Sequence, residues 1–151
     1  MRSFVHAAAF MIYVFCLIAA ANSDIWYVGK DEFSRNPASL EMEGTLSRPF
    51  VSFSMAMTVL KPGDTLMVKS GTYNEPLVVT VSGKPGAPVT IKGDPWFKID
   101  TSSGAGISAA TYAIVPAILI VSKTDVTVEN FEVANAPGKG ADLDRCKNVI
   151  L

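Results

Sequence analysis

The chain is poor in the residues on which most metal and redox chemistry depends. Among its 151 residues there is one histidine, His6, and there are two cysteines, Cys16 and Cys146. His6 and Cys16 both fall in an apolar N-terminal stretch, so the remainder holds no histidine and a single thiol. It has no Cys-x-x-Cys spacing and no His/Cys cluster, which excludes zinc chemistry and histidine-based acid–base catalysis from that part. Cys146 is read as a small buried hydrophobe; the alternative is a disulfide with a residue outside this chain. A surplus of charge is lacking as well. Beyond Ser23, 12 basic residues face 14 acidic ones, a net charge of −2. A nucleic-acid partner, which calls for a basic patch, is therefore disfavoured.

What the N-terminus does contain is a leader pattern. Arg2 supplies one positive charge, residues 4–21 are almost wholly apolar, and Ala19, Ala20 and Ala21 precede polar Asn22, Ser23 and Asp24. A charged start, an apolar centre and a small-residue exit describe a secretory signal peptide. Residues 1–23 are assigned to it, with cleavage after Ala21 or Ser23, and residues 24–151 to the mature protein. The competing reading is a membrane anchor, because roughly 18 apolar residues suffice to enter a bilayer. The small residues favour cleavage, hence a secreted or extracellular protein, periplasmic if bacterial, with no membrane contact afterwards. The mean hydropathy of +0.31 is inflated by this leader.

The mature part alternates short apolar strands with tight turns. Residues 61–93 read Lys-Pro-Gly-Asp-Thr-Leu-Met-Val-Lys-Ser-Gly-Thr-Tyr, a Val-rich run, then Ser-Gly-Lys-Pro-Gly-Ala-Pro-Val-Thr-Ile-Lys-Gly. Strands are expected at 25–28, 65–69, 76–81, 89–92, 118–121, 126–129 and 149–151. One helix is expected at 50–60, where Phe50, Phe53, Met57 and Leu60 fall on one face, with Pro49 in its first turn and Pro62-Gly63 ending it. The triplet at Leu66 precedes that at Val89 by 23 residues, and Val126 precedes Val149 by 23 again, with a step of 29 from Val89 to Ile118. A period of 20–50 residues signals a solenoid. One rung cannot bury its apolar face, whereas rungs stacked about 4.8 Å apart pair their backbones and form a continuous core. Residues 101–116, rich in Ala, Ser and Gly, read as a loop that rims a cleft or serves as a mobile connector.

The order of these motifs resembles a known family. An aromatic strand, Arg48-Pro49-Phe50 opening a helix, Lys61-Pro62-Gly63-Asp64-Thr65, Gly71-Thr72-Tyr73 and Gly86-Ala87-Pro88-Val89-Thr90-Ile91-Lys92-Gly93 follow one another. This is similar to the N-terminal end of right-handed parallel β-helix proteins, the polysaccharide lyases of the family-nine pectate lyase and alginate/chondroitin lyase types. Residues 125–133 and 146–151 look like successive rungs. The resemblance implies an all-β solenoid with an N-terminal capping helix, here truncated within a strand at Leu151. It further implies an acidic polysaccharide as partner. In the full-length relatives it implies β-elimination by a basic residue, with Ca²⁺ neutralising the uronate. The open last rung is expected to favour self-association. The alternatives are a non-catalytic scaffold or adhesin-like surface protein, and a truncated fragment without activity.

No residue is assigned a catalytic or metal-binding role, and no cofactor is expected in this chain. Asp142 and Asp144, with Lys139, Arg145 and Lys147 nearby, are the best local candidates. Alternation places the two carboxylates on one face if that segment is extended, but a solvated loop between rungs is the favoured reading. Asp125 and Glu129 are read as strand ends. Trp26, Tyr27 and Trp96 are candidates for stacking on sugar rings, against a favoured role in packing at the capped end. Asn130 is either a simple turn asparagine or a residue that hydrogen-bonds its neighbours' backbone or stacks in an asparagine ladder.

Overall fold

In a computed structural model of the protein, the structure describes residues 23–30, 44–102 and 116–151. The stretch expected to be a leader therefore lies outside the described residues apart from Ser23, as do most of the 101–116 insertion and of the polar stretch after Gly29. Among the described residues the chain forms β1 (Ile25–Val28), α1 (Phe53–Met57), β2 (Thr65–Lys69), β3 (Thr72–Tyr73), β4 (Leu77–Val79), β5 (Val89–Asp100), β6 (Ile118–Val121), β7 (Thr124–Ala134), β8 (Ala141–Asp144) and β9 (Lys147–Ile150).

All pairing between these strands is parallel. The larger sheet runs β1-β2-β5-β7-β9, with β3 also paired to β5; the smaller runs β4-β6-β8. The larger sheet turns a corner. The first half of β5 pairs with β2 and its second half with β3, so long strands pass from one facet to the next. Two facets from one sheet and a third from the other enclose a common core, a β-helix-like coil. Its interior is Val28, Leu66, Val68, Val89, Ile91, Val126 and Val128 on the first facet, Tyr73, Phe97 and Ile99 on the second, and Leu77, Val79, Ile118 and Ile120 on the third. Alternation of inward and outward side chains follows from the pleat.

The period differs in detail from the 23-residue triplet match. Leu66 pairs with Ile91, so the offset there is 25 residues. Val89 pairs with Val126, while Ile118 belongs to the smaller sheet. The step from Val126 to Val149 is a true register pair, and so is Ile118 to Ala141. The error of two residues left every inward side chain inward, because the strand period is two.

The helix is shorter than its apolar stripe. Phe50, Phe53, Met57 and Leu60 are all buried, yet only residues Phe53–Met57 are helical. Phe50 instead bridges to Val28. Ser52 caps the helix, its Oγ accepting from Met55 N at 3.3 Å. At the other end Thr58 turns its hydroxyl back onto the Met55 carbonyl at 2.7 Å.

The Lys61-Pro62-Gly63-Asp64 motif does more than reverse the chain. Gly63 takes φ +97° and Asp64 N donates to the Lys61 carbonyl at 3.0 Å, as a turn with Pro then Gly at its centre requires. The Asp64 side chain is 1% exposed. It accepts from Lys61 N (2.9 Å), Asp24 N (3.0 Å) and Trp26 Nε1 (3.1 Å). The motif thus ties the first strand to the second. Tyr73 is fully buried, its hydroxyl donating to the Lys69 carbonyl at 2.8 Å. Its ring lies 4.9 Å from Phe53, and Phe97 bridges from there to Phe131 at 6.2 Å.

Candidate functional site

Four surfaces carry the chemistry of the coil. The first is the outer face of the first facet. Thr65, Thr90 and Thr127 stand in register there, as do Tyr27, Met67, Lys92 and Glu129. Lys92 Nζ meets Glu129 Oε2 across the rung at 3.2 Å, and on the second facet Lys98 Nζ meets Glu132 Oε1 at 3.4 Å. Such exposed pairs stabilise by about 0–1 kcal/mol. Their main effect is to set the pattern of donors and acceptors along the coil. Glu129 is therefore a rung-to-rung partner within β7, not a strand end. Asp125 is also inside β7, in a left-handed bend (φ +54°), where its Oδ1 accepts from Asn148 Nδ2 at 3.0 Å.

The second is the corner between the two facets. From Lys92 to Phe97 the β5 strand spends four residues, 93–96, where β7 uses Asn130 alone. This is a bulge of the kind that bends a strand and re-aims its side chains. Trp96 sits on it and is 49% exposed. Asn130 adopts φ +57° and its Nδ2 donates to the Gly93 carbonyl at 3.4 Å, so it is a link between rungs as well as a turn residue. Trp26 behaves differently. It stacks on Phe50 with centroids 6.0 Å apart and packs against the core at the β1 end. Tyr27, pointing outward in register with Met67, is half-buried.

The third is a cleft of about 500 Å³ between α1 and β4, lined by Ser54, Met57, Thr58, Glu75, Pro76, Val78 and Thr80. Glu75 is its one ionisable group. Burial raises its carboxyl above the usual range, opposed by the Phe53 N–H, which donates to Oε1 at 3.3 Å, and by the charge of Lys30. The sequence reading passed over Glu75. A single acid between Asn74 and Pro76 carries no pattern, and its burial depends on α1 packing beside β4.

The fourth is the Asp142–Lys147 region. Residues Ala141–Asp144 are not a loop but strand β8, paired to β6. Asp142 and Asp144 do share a face, in register with Leu119 and Val121. They do not converge on one point. Lys139 Nζ takes Asp142 at 3.1 Å and Arg145 Nε takes Asp144 at 3.1 Å, while Lys147 begins β9 on the first facet. Cys146 is half-buried, its Sγ donating to the Ile120 carbonyl at 3.1 Å. Among the described residues no group of three or more His, Cys, Asp or Glu side chains could hold a metal ion. Among them, too, no helix is long and apolar enough to cross a membrane.

This architecture places the chain with proteins of β-helix-like fold, and comparison with known proteins agrees. Its fold is similar to that of a rhamnogalacturonan lyase, with a TM-score of 0.57 at 17% identity, over 74% of this chain and 28% of the lyase. At that identity the likeness concerns the fold alone. In sequence the chain is 30% identical over 112 residues to the uncharacterized protein YwoF of Bacillus subtilis (strain 168). That alignment covers 74% of this chain and 22% of YwoF, so the chain spans less than a third of the length of either protein. No family model matches the chain.

Proposed function

We propose that this protein is a secreted, polysaccharide-binding β-helix protein whose outer facets grip an acidic glycan. The observation that carries the reading is the set of parallel rungs displaying Thr65-Thr90-Thr127 and the Lys92–Glu129 and Lys98–Glu132 pairs in register. Rungs about 4.8 Å apart offer a regular row of hydroxyl, ammonium and carboxylate groups, which suits the repeated hydroxyls of a polysaccharide. The fold shared with a rhamnogalacturonan lyase supports the same class of partner. Residues 1–23 direct export in this reading, and the short helix with residues 44–50 caps a right-handed coil.

Binding without cleavage is the form of the function we favour for this chain. Elimination beside a uronate carboxyl needs a base within hydrogen-bond reach of the proton. Lys139 and Arg145 are engaged with Asp142 and Asp144. This supports a scaffold or surface role, with Ca²⁺-assisted lyase chemistry left to longer relatives. The test is affinity electrophoresis of the secreted chain in gels containing rhamnogalacturonan, polygalacturonate or alginate, alongside an ultraviolet assay for unsaturated product. Retardation by an acidic glycan without a rise in absorbance is the expected result. A rise in absorbance that Lys147→Ala abolishes would move the function to a lyase. Migration unchanged in every gel would remove the polysaccharide reading.

A further inference from the structure

Trp96 is presented on a rigid platform. The bulge that carries it is anchored to the rungs on both sides. Ser70 N and Ser70 Oγ both donate to the Asp94 carbonyl, at 3.2 and 3.0 Å, and Asn130 Nδ2 donates to the Gly93 carbonyl. Gly93 has no room for a side chain, since a Cβ there would lie 2.3 Å from the Asn130 carbonyl oxygen and 2.6 Å from Trp96 Cα. The chain is folded back tightly at this point, and the indole is left about half exposed although a buried core of Phe97, Ile99 and Val126 lies on the same strands. The neighbouring rung turns the same corner with one residue, so turning the corner does not require the excursion.

The surroundings define what would dock there. The outward residues flanking the bulge are Lys92 and Lys98, each already matched by a glutamate of the next rung. The corner therefore combines one flat apolar ring with two paired lysine heads and, on the bulge itself, the exposed Asp94, which stands in register with Lys69. A pyranose has the complementary form, a C–H-bearing face with hydroxyls around its rim. We infer that Trp96 is a stacking subsite for one sugar ring of a bound glycan, with the Lys92–Glu129 and Lys98–Glu132 heads meeting ring hydroxyls. This deepens the polysaccharide reading and rests on it. Because the flanking charges are paired, stacking dominates at this subsite and neutral and acidic sugars are both accepted.

Fluorescence tests this directly, because the chain has two tryptophans and the other, Trp26, is held by Asp64 and Phe50. The full chain is titrated with a galactan oligosaccharide and with an oligogalacturonide, following emission and its quenching by acrylamide. Both glycans are expected to protect the exposed indole from acrylamide. Trp96→Ala should weaken binding about tenfold, as loss of an aromatic anchor does, and Trp96→Phe should restore most of it. Raising the salt concentration should change the affinity for the neutral glycan by less than about twofold, since screening acts on charges and not on stacking. If the chain binds glycan but Trp96 stays fully quenchable and Trp96→Ala binds as tightly as the parent, the subsite is wrong while the polysaccharide reading stands. If neither glycan nor any polysaccharide in the gels binds, both fail.

Discussion

The two ends of the coil are built differently. At the β1 end the free sheet edge is occupied. Tyr27 N donates to the Gly44 carbonyl at 2.8 Å, Phe50 N to Tyr27 at 2.8 Å and Gly29 N to Phe50 at 2.9 Å, so residues 44–50 take the place of a further strand. Behind them Phe53, Tyr73 and Phe97 close the core, and Asp64 ties β1 to the turn before β2. At the other end, β8 and β9 each have one paired neighbour among the described residues. Leu143, Ile150 and Leu151 are 41%, 62% and 47% exposed. A parallel coil always generates two such edges, and an uncovered one is a template for another strand. One edge here is blunted by irregular chain and a helical turn, while beside β8 and β9 no further strand lies among the described residues.

Large-to-small changes in the core should expose the contrast most strongly. Phe97→Ala, in the fully buried cluster near the β1 end, should cost about 3–5 kcal/mol in urea unfolding, whereas Leu143→Ala should cost less than about 1 kcal/mol. Equal losses would mean that the β8–β9 end is covered in solution. Asp64→Ala should follow, at about 2–4 kcal/mol, because it removes three hydrogen bonds to one buried carboxylate. A loss below about 1 kcal/mol would show that the first strand is not held through this carboxylate.

Smaller effects concern the β8–β9 end and the cleft. The double variant Leu143→Lys/Ile150→Lys should leave the melting temperature within a few degrees, about 0.5 kcal/mol for surface changes, because both side chains are exposed. A loss above about 2 kcal/mol would show that the two side chains pack as core. The least effect is expected from Glu75→Gln. Its carboxyl is raised from the ordinary 4.5, so the folded state binds the proton more tightly than the unfolded one. Native Glu75 is therefore least unfavourable below pH 4.5, and its contribution falls as pH rises through the folded value. The variant should gain slightly over the parent at neutral pH and lose that gain in acid. A gain that persists unchanged at low pH would trace to packing.

Much of the fold was legible because the strand signal is local. Val126-Thr127-Val128 alternates with period two, Val149-Ile150 is β-branched, and their register pairing follows from the 23-residue step. Residues 141–144 were missed as a strand. Ala-Asp-Leu-Asp is poor in β-branched residues, and its strand form comes from pairing to β6. The helix was overextended because Phe50 contributes to the buried stripe through a bridge to β1, and a 3.6-residue pattern cannot tell helix from adjoining chain that buries the same face. Glu75 and the bulge under Trp96 had no signal beyond single residues.

The sequence by itself determined the inward and outward faces of the strands, the Pro62-Gly63 turn and the buried aromatic stripe. All three depend on neighbours within a few positions, where the pleat and the preferred φ of Pro and Gly leave little choice. Only the tertiary structure decided which strands share a facet, that Asp64 anchors β1, that Asn130 links two rungs and that Trp96 stands exposed. Each of these requires residues roughly 25–40 positions apart to meet, and loops of such length close at nearly equal entropic cost whatever their register. The choice among registers is made by the packing of the whole core.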